Sequence, residues 1–118
     1  MKMREAIAIL EAECFCSEPH LLEAEVTRAR ACDLMSEILA ADALPDILLT
    51  GLCNTQVVRT ASVFGIKAVI IVRGKTPSSG MIDMANEEEI VLASTKYGLF
   101  TSCGKLYAAG IRGIQEIK

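Results

Sequence analysis

Residues 46–75 read DILLTGLCNTQVVRTASVFGIKAVIIVRGK, and their punctuation decides the architecture. Asp46 to Thr50 is an apolar run of strand length, closed by Gly51. Asn54 or Thr55 can cap a helix that buries Val57, Val58, Ala61 and Phe64, and Gly65 supplies its stop. Lys67 to Arg73 is the next strand. Its apolar, β-branched middle is what a central parallel strand covered on both faces requires. A crossover helix between two such strands returns the chain to the same end of a sheet, so the unit is βαβ.

The rhythm continues on both sides. After Pro77, Ser78 or Ser79 caps a helix to about Glu88, with Met81, Met84 and Ala85 inward. Ile90 to Ser94 is a strand, and Thr95 caps a helix with the stripe Leu99, Cys103, Leu106 and Gly110. Upstream, Ala24 to Cys32 alternates, placing Thr27, Ala29 and Ala31 on one face and Val26, Arg28 and Arg30 on the other. That half-polar strand is a candidate sheet edge. Asp33 caps a helix to about Ala41, with Leu34, Ile38 and Leu39 inward. Met3, Ala6, Ile7 and Leu10 share one face of an N-terminal helix, Glu13 to Phe15 is a short strand, and residues 17–23 are a polar surface loop carrying His20. Ile114 and Ile117 suit a short final strand or a docked tail. The expected fold is α/β, a three-layer α/β/α arrangement with a mostly parallel sheet of about 4–6 strands. A chain of 118 residues makes this one domain, 1–118.

Composition narrows the function. Hydrophobic residues make up 52% and charged residues 23%, a globular balance. A net charge of −3 gives no global attraction to nucleic acid or anionic membrane. With no Trp, two Tyr and three Phe there is little surface for stacking bases, so no nucleic-acid partner is expected. Arg4, Glu5 and Glu11 break the first apolar stretch too early for a signal peptide, and no run reaches membrane-spanning length. A cytoplasmic protein is expected. The cysteines, Cys14, Cys16, Cys32, Cys53 and Cys103, are odd in number, form no C-x-x-C pair and meet a single histidine, His20. They read as buried reduced thiols, with no metal site. Cys14 and Cys16 would point to the same face of a strand, which leaves a redox pair open. The run Glu87-Glu88-Glu89 is a solvated helix end rather than a metal patch.

Gly74-Lys75-Thr76 spells the end of a phosphate-gripping P-loop. The motif needs a second glycine five positions before Gly74, where this chain has Val69 inside a β-branched run. Such a run cannot curl into a nest of inward-pointing amides. The P-loop is excluded on mechanism as well as on spelling.

Ligands of open parallel sheets bind outside the carboxyl ends of the strands. Loops 50–55, 73–79 and 94–97 emerge there, bringing Thr50, Asn54, Thr55, Arg73, Lys75, Ser78, Ser79, Ser94, Thr95 and Lys96. Each loop leads into a helix N-terminus, which favours an anion, and the three cations add to that. Every one of these residues also has an ordinary local role, as a cap or a surface charge. The loops hold no Asp, Glu or His to act as general base or magnesium ligand. Cys53 is their one nucleophile, and without a neighbouring histidine it reads as packed. The expectation is a non-enzyme that needs no cofactor.

Cys32-Asp33-Leu34-Met35-Ser36-Glu37-Ile38-Leu39-Ala40, LLTGLCNTQVVRTA (48–61), IKAVIIVRGK (66–75) and IVLAST (90–95) resemble the DRTGG domain, nearly the whole chain being covered. That family is related in fold to the N-terminal domain of HPr kinase/phosphorylase. It occurs beside phosphotransacetylase domains and between the CBS domains of some pyrophosphatases. The resemblance implies a regulatory or dimerising module, and a kinase label would be wrong because the kinase domain with its P-loop is absent. The naming letters are changed: Gly51 is followed by Leu52, Cys53 and Asn54, and Arg73-Gly74-Lys75 stands where Thr-Gly-Gly would follow the next strand. Gly51 and Gly74 survive, as tight strand-to-helix turns would demand. Three functions stay open in this order: a module acting through a homodimer and a protein partner, a sensor of a nucleotide or phosphorylated metabolite at the three loops, and a switch using Cys53 or the Cys14/Cys16 pair.

Overall fold

The structure, a computed structural model, describes residues 1–39 and 43–114. In chain order the elements are α1 (Met3–Ile9), β1 (Glu13–Cys14), a 3-10 turn (Pro19–Glu23), β2 (Arg28–Ala31), α2 (Met35–Leu39), β3 (Ile47–Thr50), α3 (Thr55–Phe64), β4 (Ala68–Ile71), α4 (Ser79–Glu87), β5 (Val91–Ser94), α5 (Leu99–Ala108) and β6 (Arg112–Gly113). They build one sheet in the order β1-β5-β4-β3-β2-β6. β1 runs antiparallel to β5, and every other pairing is parallel. The fold is α/β with a mostly parallel sheet, as the βαβ punctuation implies.

Strand alternation divides the core in two. Ile47, Leu49, Ala68, Ile70, Val91 and Ala93 face the side where α1 contributes Met3, Ala6 and Ile7 and α5 contributes Leu106. Leu48, Val69, Ile71 and Leu92 face the side covered by Ile38 of α2, Val57, Val58 and Ala61 of α3, and Met81 and Ala85 of α4. Three layers result. Local signals set the helix ends: Asn54 Oδ1 accepts from the Val57 amide at 3.1 Å, and Ser78 Oγ accepts from the Met81 amide at 3.2 Å. Gly65 closes α3 with φ 73°, a left-handed stop that glycine adopts without strain.

At the amino end of the strands, Asp46 joins three of them. Its carboxylate accepts from the amides of Thr27 (2.8 Å) and Arg28 (3.3 Å) and lies 3.4 Å from the Lys67 ammonium. Burial alone would raise this carboxyl's pKa, but those amides and Lys67 outweigh it and hold it below the ordinary value.

Several expectations are corrected. The 24–32 strand is not an edge, because β6 pairs along it with Arg28 opposite Arg112 and Ala29 opposite Gly113. Gly110, φ 113°, is not part of the α5 stripe; it turns the chain so that β6 can return beside β2. The true edges, β1 and β6, are each two residues long, which limits their value as pairing templates. Leu34 is 61% exposed rather than inward, because the helix starts only at Met35. Residues 19–23 form the 3-10 turn, whose Leu21 and Leu22 pack on the α1 side of the core. The Leu39 side chain, the predicted helix end at Ala41, and Ile117 lie outside the described residues.

Candidate functional site

The carboxyl ends of β3 and β4 meet the turn after β2 at one point of the rim. Thr50 is fully buried, its hydroxyl donating to Asp33 Oδ1 at 3.0 Å and accepting from the Leu52 amide at 3.1 Å. The Gly51 amide donates to the same Asp33 oxygen at 2.7 Å. Asp33 was expected to cap the helix that follows. It instead ties the turn after β2 to the end of β3. The Gly51 amide is the largest influence on this carboxyl; with the Thr50 hydroxyl and the charges of Arg73 and Lys75 it overcomes desolvation and lowers the pKa.

The two cations arrive from the turn after β4. Arg73 and Gly74 both take left-handed backbone, φ 65° and 71°. Their amides donate to the carbonyls of Tyr97 (2.9 Å) and Thr95 (2.8 Å), so this turn uses its amides to hold the 94–97 loop and forms no phosphate nest. Left-handed backbone suits glycine at 74 but strains an arginine by about 1–2 kcal/mol. The guanidinium lies over Gly51, where an added Cβ would meet Arg73 Nη2 at 2.0 Å. Gly51 has no positive φ, so the tight turn expected from sequence does not explain it, and a Cβ there would require the Arg73 guanidinium to swing aside. The Lys75 ammonium donates to the Gly51 carbonyl at 2.6 Å, and the Ser94 hydroxyl donates to the Lys75 carbonyl at 2.6 Å. Arg73, Lys75, Gly51, Thr50 and Asp33 thus form one cluster.

The remaining candidates lie elsewhere on the rim. Asn54 and Ser78 are spent as caps, while Thr55 and Ser79 sit exposed at the first positions of α3 and α4. Thr95 does not cap α5, which starts at Leu99 after Gly98. Its buried hydroxyl donates to the Leu10 carbonyl at 2.7 Å, fastening the 94–97 loop to the end of α1. Lys96 borders a crevice of about 220 Å³ with Glu11, Glu13, Phe15 and Thr76. Glu11 also accepts from the Tyr97 hydroxyl.

The three loops themselves hold no carboxylate, as the sequence indicates, but the rim does: Asp33, Glu11 and Glu13 all fold into it. They come from segments remote in sequence from the three loops. β1 runs antiparallel to β5 and so starts where β5 ends, with Glu13 opposite Ser94. The acidic pair makes the Lys96 crevice a poor anion site, whereas the Arg73–Lys75 cluster holds two cations against one carboxylate.

The thiols offer little chemistry. Burial raises the pKa of Cys14 and of Cys103, which disfavours their thiolates. Cys32 is buried and donates to the Leu34 carbonyl at 3.0 Å. The Cys53 sulfur lies 3.6 Å from the Thr76 carbonyl and 3.8 Å from the Met81 sulfur, a packed position. His20 is exposed in the 3-10 turn, 3.7 Å from Glu18. Among the described residues no three His, Cys, Asp or Glu side chains gather as a metal site, and no helix is long and apolar enough to cross a membrane.

No family model and no curated protein matches this chain. A solved structure does: the CBS and DRTGG domains of the regulatory region of Clostridium perfringens pyrophosphatase, complexed with the activator diadenosine tetraphosphate. The TM-score is 0.73 at 18% identity, over 89% of this chain and 45% of that one, so the chain spans less than half of its length. At that identity the likeness is one of fold, and it supports the DRTGG-type α/β fold that residues 32–40, 48–61, 66–75 and 90–95 resemble.

Proposed function

We propose that this chain is a single DRTGG-like regulatory module, non-catalytic, that senses a phosphate-bearing ligand where Asp33 now sits and acts through self-association and a protein partner. One observation carries the sensing part: an exposed carboxylate takes the Gly51 amide and the Thr50 hydroxyl beside Arg73 and Lys75. The cluster already holds an anion, its own. A ligand phosphate would compete for the same donors and both cations, as charge-assisted hydrogen bonds favour. Displacing Asp33 would release the turn that leads into α2, and differential affinity for the two arrangements is what a regulatory ligand requires.

Two further points favour the reading. Arg73 accepts a strained backbone where glycine would be relaxed, and strain of this kind gathers at functional positions. The pyrophosphatase regulatory region of like fold was crystallised with a nucleotide activator that carries four phosphates, which makes a nucleotide the first ligand class to try. Asp33 is held as a hydrogen-bond acceptor at low pKa, a poor state for a general base, and this supports recognition without chemistry.

Thermal unfolding with a panel of nucleotides and phosphorylated metabolites tests the proposal. A ligand at 100 times its Kd should add about 2.7 kcal/mol, and replacing Arg73 and Lys75 by alanine should remove that gain. A gain that survives both replacements would place the ligand elsewhere and end this reading.

A further inference from the structure

We infer that the hollow between α5, β2 and β6 is a second ligand site, shaped for a small carboxylic acid whose apolar body is about the size of a phenyl ring. The body lies against β2, and the carboxylate meets the guanidinium of Arg112. This site stands apart from the Asp33 cluster and does not depend on the function proposed for it.

The hollow exists because the two faces of the sheet are covered unequally. α2, α3 and α4 cover one face. The other has α1 and α5 for six strands: α5 packs on β3, and α1 packs on α5 and the 3-10 turn. Beyond α5, the part of this face that belongs to β2 and β6 carries Ala29, Ala31 and Gly113, with Ala29 opposite Gly113 in the register. Alanine and glycine are depleted from strands because they bring little to pack. Three of them together leave a space of about 180 Å³, walled by Leu49, Cys103, Leu106 and Ile111. An apolar cavity of about 150 Å³ accepts benzene, so this one has room for a phenyl ring.

Charge selects the rest of the ligand. Arg112 stands at the border of the hollow, its guanidinium 4.2 Å from the centre of the Tyr107 ring. Its Nη1 donates to the carbonyls of Tyr107 and Ile111, each at 3.0 Å. Stacking and two hydrogen bonds hold a flexible side chain in place, so a ligand has little ordering left to impose. The remaining edge, Nε and Nη2, has the fork geometry that takes a carboxylate through two parallel hydrogen bonds. Arg30 also borders the hollow, and among the described residues no Asp or Glu does. Burial raises the Cys103 pKa, so that thiol adds no negative charge either. A neutral hydrocarbon would leave the cation unused, and a polyphosphate would leave the apolar walls unused. A compact acid with an apolar body engages both.

Backbone amide shifts of the isotopically labelled chain, as benzoate, benzyl alcohol or acetate is added, test this. Benzoate should bind with a millimolar or lower dissociation constant and shift Ala29, Ala31, Cys103 and Gly113. Benzyl alcohol has the ring without the charge and should bind about 10- to 100-fold more weakly. Acetate has the charge without the ring and should not saturate. Arg112→Met keeps an apolar stem and should bring benzoate down to the affinity of benzyl alcohol. Ala31→Leu fills the hollow and should abolish binding of both. Benzoate that fails to saturate at tens of millimolar, or binds no better than benzyl alcohol, would overturn the site. So would unchanged benzoate affinity in Ala31→Leu. Shifts confined to Gly51, Arg73 and Gly74 would give the acid to the Asp33 cluster, and binding seen only after deletion of residues 115–118 would give the hollow to that segment; either overturns the proposal.

Discussion

Ile70→Ala is expected to destabilise the protein by about 2–5 kcal/mol, a large part of the 5–15 kcal/mol that holds a domain of this kind together. Ile70 lies in β4, between β3 and β5, and is fully buried on the face where Met3, Leu10 and Leu106 also belong to the core. Removing its branched side chain there opens a cavity that strands hydrogen-bonded on both sides cannot close. Val63→Ala is the control: Val63 is 73% exposed on α3, and its loss should change stability by no more than about 0.5 kcal/mol. Urea denaturation gives both values. A cost below about 1 kcal/mol at Ile70 would mean that β4 is not the centre of this sheet.

Asp33→Ala should move two measured quantities in opposite directions. The Thr50 hydroxyl and the Gly51 amide lose their acceptor, so stability should fall by about 1–3 kcal/mol. The same loss removes the internal competitor and its negative charge. Affinity for a phosphate ligand should rise about 10- to 100-fold, the range that corresponds to one or two charge-assisted hydrogen bonds. A residue with only a structural role would lower stability without raising affinity. Acid makes the same point in the native chain. The folded pKa of Asp33 is depressed, so its contribution is complete above the unfolded value of about 3.9 and is lost as pH falls through the lower folded value. Asp46, also depressed, follows the same sign at the opposite end of the sheet.

How much was legible in the sequence depended on whether a signal was local. Asn54, Gly65 and Ser78 announce helix boundaries through their own chemistry, and the structure places them there. The unbroken apolar middle of residues 67–73 announces a central parallel strand, and β4 occupies it. Errors fell where a long-range partner overrode a local preference. Asp33 and Thr95 both look like caps, yet Thr50 and Gly51 take the first and the Leu10 carbonyl the second. β2 looked like an edge because its alternation is half polar, and β6, two residues long, carries no periodicity that would reveal the partner.

The site divides in the same way. Arg73, Lys75 and Gly51 could be named from their place after strands of a βαβ series. Their carboxylate partner could not, since it lies 17 residues from Thr50 along the chain and meets it only through the parallel pairing of β2 with β3. Glu11 and Glu13 needed a different fact, that β1 runs antiparallel and begins at the rim. Neither registry is written in the residues themselves.

The most direct test of the central claim follows the backbone amides of isotopically labelled protein as a nucleoside polyphosphate is added. Recognition at the Asp33 cluster predicts the largest shifts at Gly51, Leu52, Arg73 and Gly74, with the nucleotide recovered intact. Shifts centred on another surface, or a nucleotide chemically converted during the titration, would contradict it.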